Sequence, residues 1–116
     1  MRGRVRSRRR VWQGERVFAI VVRFDLLDPD AAARFDAMVA ELLPQIAAHE
    51  PGTLTYAVHT VDDAPLSRVF YEVYTDRAAH RAHEAQPHTA SFLTAKDALL
   101  SGSRVDFLTP TSSARP

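Results

Sequence analysis

An α+β domain with its elements in the order βαββαβ is what three features of the sequence predict. Short β-branched and aromatic runs are separated by polar turns, and amphipathic helical patterns fall after the first and third of them. The chain of 116 residues also has room for one core and not for two.

The first strand is read at Arg16 to Leu26, RVFAIVVRFDL, which is too short and too β-rich for a buried helix. Asp28-Pro29 is a helix start: aspartate can cap free amide groups, and proline suits the first position, where no amide hydrogen is needed. Phe35, Met38, Val39, Leu42, Leu43 and Ile46 then recur every three to four residues and form one apolar stripe. Pro44 falls inside this pattern and predicts a kink, or an end and restart, before the Pro51-Gly52 turn. Thr53 to Val61 is the second strand, Asp62-Asp63-Ala64-Pro65 a turn, and Ser67 to Thr75 the third strand, together a hairpin. Asp76 can cap a helix running to about Gln86, which Pro87 interrupts. A second helical segment carries Phe92, Leu93, Lys96, Leu99 and Leu100 and is closed by Gly102. Val105 to Thr109 is a last short strand.

This order is that of a ferredoxin-like split βαβ sandwich, with helices on one face of a four-stranded antiparallel sheet. Residues 16–109 form the domain, 1–15 a basic, disordered tail and 110–116 a frayed C-terminal tail. In the first strand Phe18, Ile20, Val22 and Phe24 alternate with Val17, Ala19 and Val21; in the third, Phe70 and Tyr74 oppose Val69, Tyr71 and Val73. Both faces are apolar, and two helices cover only one, so a homodimer joined through the open faces or strand edges is expected.

Composition excludes several classes of function. With 46% apolar and 25% charged residues the chain is an ordinary globular protein, not a disordered one. The absence of cysteine removes disulfides, thiolate metal sites and a cysteine nucleophile. The longest strongly apolar stretch, Val17 to Val22, is far short of the about 20 residues that cross a bilayer, so no membrane partner and a cytoplasmic location are expected. Residues 1–10 hold six arginines and no acid, which leaves nine basic against fourteen acidic residues in the remainder, a net charge of −5. A domain this acidic does not suit nucleic acid.

Five histidines stand out, and His80, His83 and His88 fall within nine residues. No HExxH, facial-triad or zinc-like spacing accompanies them, so no metal is expected. Glu72 interrupts an apolar strand on the face shared by Phe70 and Tyr74, where a carboxylate needs a partner. The following helix folds back over the sheet, and His83 or His88 is the expected neighbour; such a Glu–His pair fixes a tautomer and makes a base near neutral pH, or is simply a structural hydrogen bond.

Phe70-Tyr71-Glu72-Val73-Tyr74, followed by Asp76, Ala79, His83, Pro87-His88 and Phe92, resembles the signature of the antibiotic biosynthesis monooxygenase family. Glu50-Pro51-Gly52-Thr53 ahead of Tyr56 is similar to that family's turn before the second strand. The resemblance covers roughly residues 16–109 and implies a dimeric α/β barrel with one pocket per subunit between sheet and helices. It implies cofactor-free oxidation of phenolic, quinol or anthrone substrates by O₂, isomerisation of a small phosphorylated ketone as in autoinducer-2 degradation, haem degradation, or a stress protein without known activity. Haem degraders of this fold rely on an asparagine and a tryptophan, whereas this chain has no asparagine and only Trp12, in the tail. Leu100-Ser101-Gly102 and Phe107 are similar to the isomerase branch.

No flavin, haem or metal motif is present, so a monooxygenase here needs no cofactor and lets its substrate supply the electrons. On that reading His83 or His88 takes a proton, Glu72 orients or charge-balances the imidazole, and Tyr56 or Tyr74 hydrogen-bonds the oxyanion. Phe18, Phe24, Phe70 and Phe92 supply the walls. The rival enzyme is an isomerase using the same base on a small ketone, for which Arg23 and Arg68 are the strand-borne cations, each expected to face solvent. A dimeric ligand-binding or stress protein is the non-enzymatic alternative.

Overall fold

The computed structural model describes residues 16–114; the arginine-rich segment, Trp12 and the last two residues lie outside the described residues. Strand β1 (Phe18–Leu26) leads to helix α1 (Pro29–His49), then to strands β2 (Thr53–Val61) and β3 (Ala64–Tyr74). Helices α2 (Arg77–Ala85) and α3 (Pro87–Lys96) follow, and a 3-10 turn (Asp97–Leu99) joins α3 to strand β4 (Leu100–Leu108). The sheet order is β2-β3-β1-β4 with every pairing antiparallel, the ferredoxin-like α+β arrangement expected from the element order.

Both aspartate caps form as the sequence predicts. The Ala31 amide donates to Asp28 Oδ1 at 2.7 Å and the Ala79 amide to Asp76 Oδ1 at 2.8 Å, so each helix start gains a partner for an otherwise orphan donor. Of the two outcomes expected at Pro44, the end and restart does not occur: helix α1 continues through it, and the proline lies on the exposed side, so water can satisfy the carbonyl that loses its intrahelical donor. Two further local expectations are corrected. The hairpin turn shrinks to Asp62-Asp63, because Ala64 already pairs with Val61; Pro65 is tolerated in β3 beyond the end of its pairing with β1, which stops at Ser67. Leu100 and Gly102 belong to β4 and do not continue or close a helix. The Leu27 amide donates to Leu99 O at 3.0 Å and Leu100 pairs with Leu26, so β1 captures the chain several residues before Val105.

The core lies between the sheet and the helices. Phe35 of α1, Phe70 and Tyr74 of β3 are 0–1% exposed. Phe24, Phe35, Phe70 and Phe92 interlock with ring centroids 5.2–6.2 Å apart, and each such pair contributes about 0.5–1.5 kcal/mol beyond area burial. On the other side of the sheet Val21, Val69 and Val73 are half-buried and Tyr71 is exposed, beside the Arg23–Asp25 ion pair.

One close approach decides where the site forms. A Cβ on Gly52 would meet the Ala79 Cβ at 2.7 Å, so only glycine lets the turn after α1 lie against α2. The Thr75 amide donates to Gly52 O at 2.9 Å and ties the end of β3 to the same turn.

Candidate active site

Glu50 sits at the C-cap of α1, its backbone amide donating to Ile46 O at 3.0 Å, and its carboxylate side chain is 3% exposed. Three donors satisfy it. His83 Nδ1 lies 2.7 Å from Oε1, Thr53 Oγ1 donates to Oε1 at 2.7 Å, and His88 Nε2 lies 2.5 Å from Oε2. A carboxylate only accepts, so His83 carries its hydrogen on Nδ1 and His88 on Nε2. Burial pushes the Glu50 pKa up, but the hydrogen bonds from His88, Thr53 and His83 outweigh it and hold the carboxyl below its usual range.

Glu72 finds a different partner from the one expected. It is buried on β3 and accepts from the Tyr74 hydroxyl at 2.5 Å, while both imidazoles converge on Glu50 instead. The expected Glu72–His pair therefore does not form: α2 folds over the sheet as predicted, but the Gly52 turn brings Glu50 under it first. Burial raises the Glu72 pKa to about 7, opposed by the Tyr74 hydrogen bond and reinforced by the charges of Glu84 and Glu50. Burial next to Glu72 also raises the Tyr74 and Tyr56 hydroxyls well above the ordinary phenol value.

A cleft of about 440 Å³ opens between the sheet and helices α2 and α3. Of the residues singled out in the sequence, Glu72, His83, Tyr56, Phe24, Phe70 and Phe92 line it. His83 borders the cleft, and Glu50, which holds its Nδ1, is not among the cleft walls. His88 is not among the walls of this cleft; it lines a separate depression with Met38, Glu41, Leu42 and Gln45. Neither Tyr74 nor Phe18 is among the cleft walls: Tyr74 is fully buried, and Phe18 packs between Arg77, whose guanidinium is 4.5 Å from the ring centroid, and His80, at 4.9 Å. Arg23 and Arg68 stay out of the cleft as well. Arg68 is buried, contrary to expectation, because it forms a two-pronged pair with Asp36 of α1 at 2.8 and 3.0 Å.

Sequence reasoning gave no role in the site to Glu50 or Lys96, and none to His80 beyond its place in the histidine cluster. His80 borders the cleft, and burial lowers its pKa, as do the charges of His83, Arg77 and Arg81, with Glu84 opposing. Glu50 was visible only as the first residue of the Glu-Pro-Gly turn, and nothing in the spacing of 33 and 38 residues points to the two histidines. Among the described residues no three His, Asp or Glu side chains are arranged to hold a metal ion, and no helix is long and apolar enough to cross a membrane.

The profile of the antibiotic biosynthesis monooxygenase family matches residues 17–95. Among solved structures, the chain is similar to SnoaB, a cofactor-independent oxygenase of Streptomyces nogalater, with 26% identity and a TM-score of 0.73 over 87% of this chain and 99% of that one. It is similar to Rv0793 of Mycobacterium tuberculosis, with 25% identity and a TM-score of 0.76 over 84% and 98% of the two chains. A protein of Bacteroides thetaiotaomicron shares the fold at 21% identity, with a TM-score of 0.79 over 89% and 97%. No curated protein matches the chain.

Proposed function

The chain belongs to the antibiotic biosynthesis monooxygenase family, and on that footing we propose that it is a cofactor-independent monooxygenase oxidising a small phenolic, quinol or anthrone-type substrate with O₂. The observation that carries this reading is an imidazole, His83, that borders an aromatic-walled cleft and is held through Nδ1 by a buried carboxylate. The likeness to SnoaB supports the reaction class.

In this mechanism His83 Nε2 removes a proton from the substrate, and Glu50 holds the tautomer and stabilises the imidazolium that forms. The substrate anion reduces O₂ and a carbon–oxygen bond forms; the imidazolium returns its proton to the resulting peroxide, and loss of water leaves a carbonyl. For an anthrone the balance is one CH₂ and one O₂ in, one C=O and one H₂O out. Tyr56 donates to the developing oxyanion. Glu72, protonated below its raised pKa, is a second donor on the same wall. His88 is a positioning residue that anchors the second oxygen of Glu50.

Two copies pair through the open sheet face, where Val21, Val69, Tyr71 and Val73 remain partly in water. Light scattering at micromolar concentration is expected to return twice the chain mass, and a monomer would overturn this part of the reading.

The deciding experiment is aerobic incubation of metal-free protein with anthrone-like and menadiol-like substrates while O₂ is followed. Consumption of one O₂ per anthrone is expected. Turnover of a ketone without O₂ uptake would identify an isomerase instead, and tight binding without turnover would identify a ligand-binding protein.

A further inference from the structure

The cleft has two chemically different ends. The β-sheet register places Tyr56, Glu72, Ile20 and Phe107 in one row across the sheet, and Phe24 and Ser103 in another. Ile20 and Phe24 are four residues apart on β1, so the two rows lie about 13 Å apart at the usual strand rise. The first row, beneath His80 and His83, is the acid–base end. Between the rows Val22, Phe70, Phe92 and Val105 make an apolar middle.

At the second row stands Lys96, the single lysine of the chain. Its side chain is only 13% exposed, laid along the cleft wall with Nζ 5.3 Å from the Phe24 ring centroid. Lysine is rarely covered to this extent unless its charge is matched. The partner present, Asp97, lies 2.8 Å from Nζ but is itself 73% exposed, an ion pair worth little in water and readily exchanged for another anion. Among the described residues Lys96 is the only lysine or arginine of the cleft walls, and Ser103, paired with Phe24, adds a hydroxyl to the same end. At the other end the described walls carry Glu72, Glu84, His80 and His83, and no lysine or arginine.

We propose that Lys96 and Ser103 form an anion-recognising end of the cleft, so that the substrate is an elongated, largely apolar ring system. It places its reacting carbon or hydroxyl under His83 and a carboxylate or phosphate against Lys96. A single six-membered ring cannot reach from one row to the other. The proposal rests on the oxygenase reading only for what happens at the His83 end; recognition at the Lys96 end is a matter of binding.

Fluorescence titration with anthracene-2-carboxylate, 2-anthryl phosphate and the neutral anthracene-2-carboxamide tests it. At least one anion is expected to bind tenfold or more tighter than the amide, with a margin that shrinks as salt rises; which anion wins identifies the group recognised. Lys96→Gln is expected to erase the margin between anion and amide, whereas Asp97→Asn, which frees the ammonium at an exposed position, keeps or widens it. Equal binding of all three probes by the unmodified protein, or a margin that survives Lys96→Gln, would overturn the proposal. Because no turnover is read, an anion preference without O₂ uptake sinks the oxygenase reading and leaves this one standing, and O₂ uptake without an anion preference does the reverse.

Discussion

Replacing His83 by alanine is expected to lower the rate of O₂-dependent substrate oxidation by about two to four orders of magnitude, the usual contribution of a positioned base. His83 is the histidine that combines a place on the cleft wall with a buried carboxylate partner, at 2.7 Å from Glu50. Glu50→Gln should lose less activity, because the base remains, but an amide at that position can donate as well as accept and no longer imposes one tautomer on the ring. Nitrogen chemical shifts of the imidazole report this directly: hydrogen on Nδ1 in the unmodified protein, a mixture of tautomers in Glu50→Gln. His88→Ala should leave the His83 tautomer in place, since the bond from His83 to Oε1 does not pass through Oε2. Unchanged oxidation by His83→Ala, with the fold intact, would remove the base from the mechanism.

The second large effect is on stability, and it depends on pH. Glu72 ionises near pH 7 in the folded protein against an ordinary value of 4.5, chiefly because burial disfavours its charge. Between those values the folded state holds a proton that the unfolded chain has already released, so stability falls as pH rises from about 4.5 to 7 and stays reduced above. The full loss is about 3 kcal/mol. Glutamine at this position can still accept from the Tyr74 hydroxyl and has no charge to bury. Glu72→Gln is therefore expected to be more stable than the unmodified protein at pH 8 by up to about 3 kcal/mol and nearly equal to it at pH 5. Urea unfolding at the two pH values checks this. A difference that is the same at both would show that the Glu72 carboxyl is not the titrating group, since Tyr56, His80, His83, Glu84 and Glu50 around it are common to both proteins.

Much of the scaffold was legible because it is written locally. Alternation of apolar residues in β1 and β3, the three-to-four spacing along α1 and the aspartate caps at Asp28 and Asp76 each act over a few residues, and each appears in the structure. Where the reading slipped, a distant strand or the solvent made the decision. At Pro44 a kink or an end and restart was open, and its exposed position let α1 continue; Leu100 was read as helical, but pairing with Leu26 drew it into β4.

The site divides along the same line. That Glu72 stands on the face of Phe70 and Tyr74 followed from a period of two, and that His83 or His88 lies over the sheet followed from the helix after β3 having to fold back on it. Which carboxylate meets which imidazole did not follow, because hydrogen bonds reach about 3 Å and the pairing hangs on how closely two elements approach. Gly52 against Ala79 sets that approach and hands His83 and His88 to Glu50, leaving Glu72 to Tyr74. By itself, then, the sequence determined the order of elements, the family and the kinds of side chain available for chemistry, since these depend on neighbours along the chain. The tertiary structure alone decided the Glu50 bridge, the retreat of His88, Tyr74 and Phe18 from the cleft, and the place of Lys96 at its far end. Those are contacts between residues tens of positions apart, governed by packing distance and not by pattern.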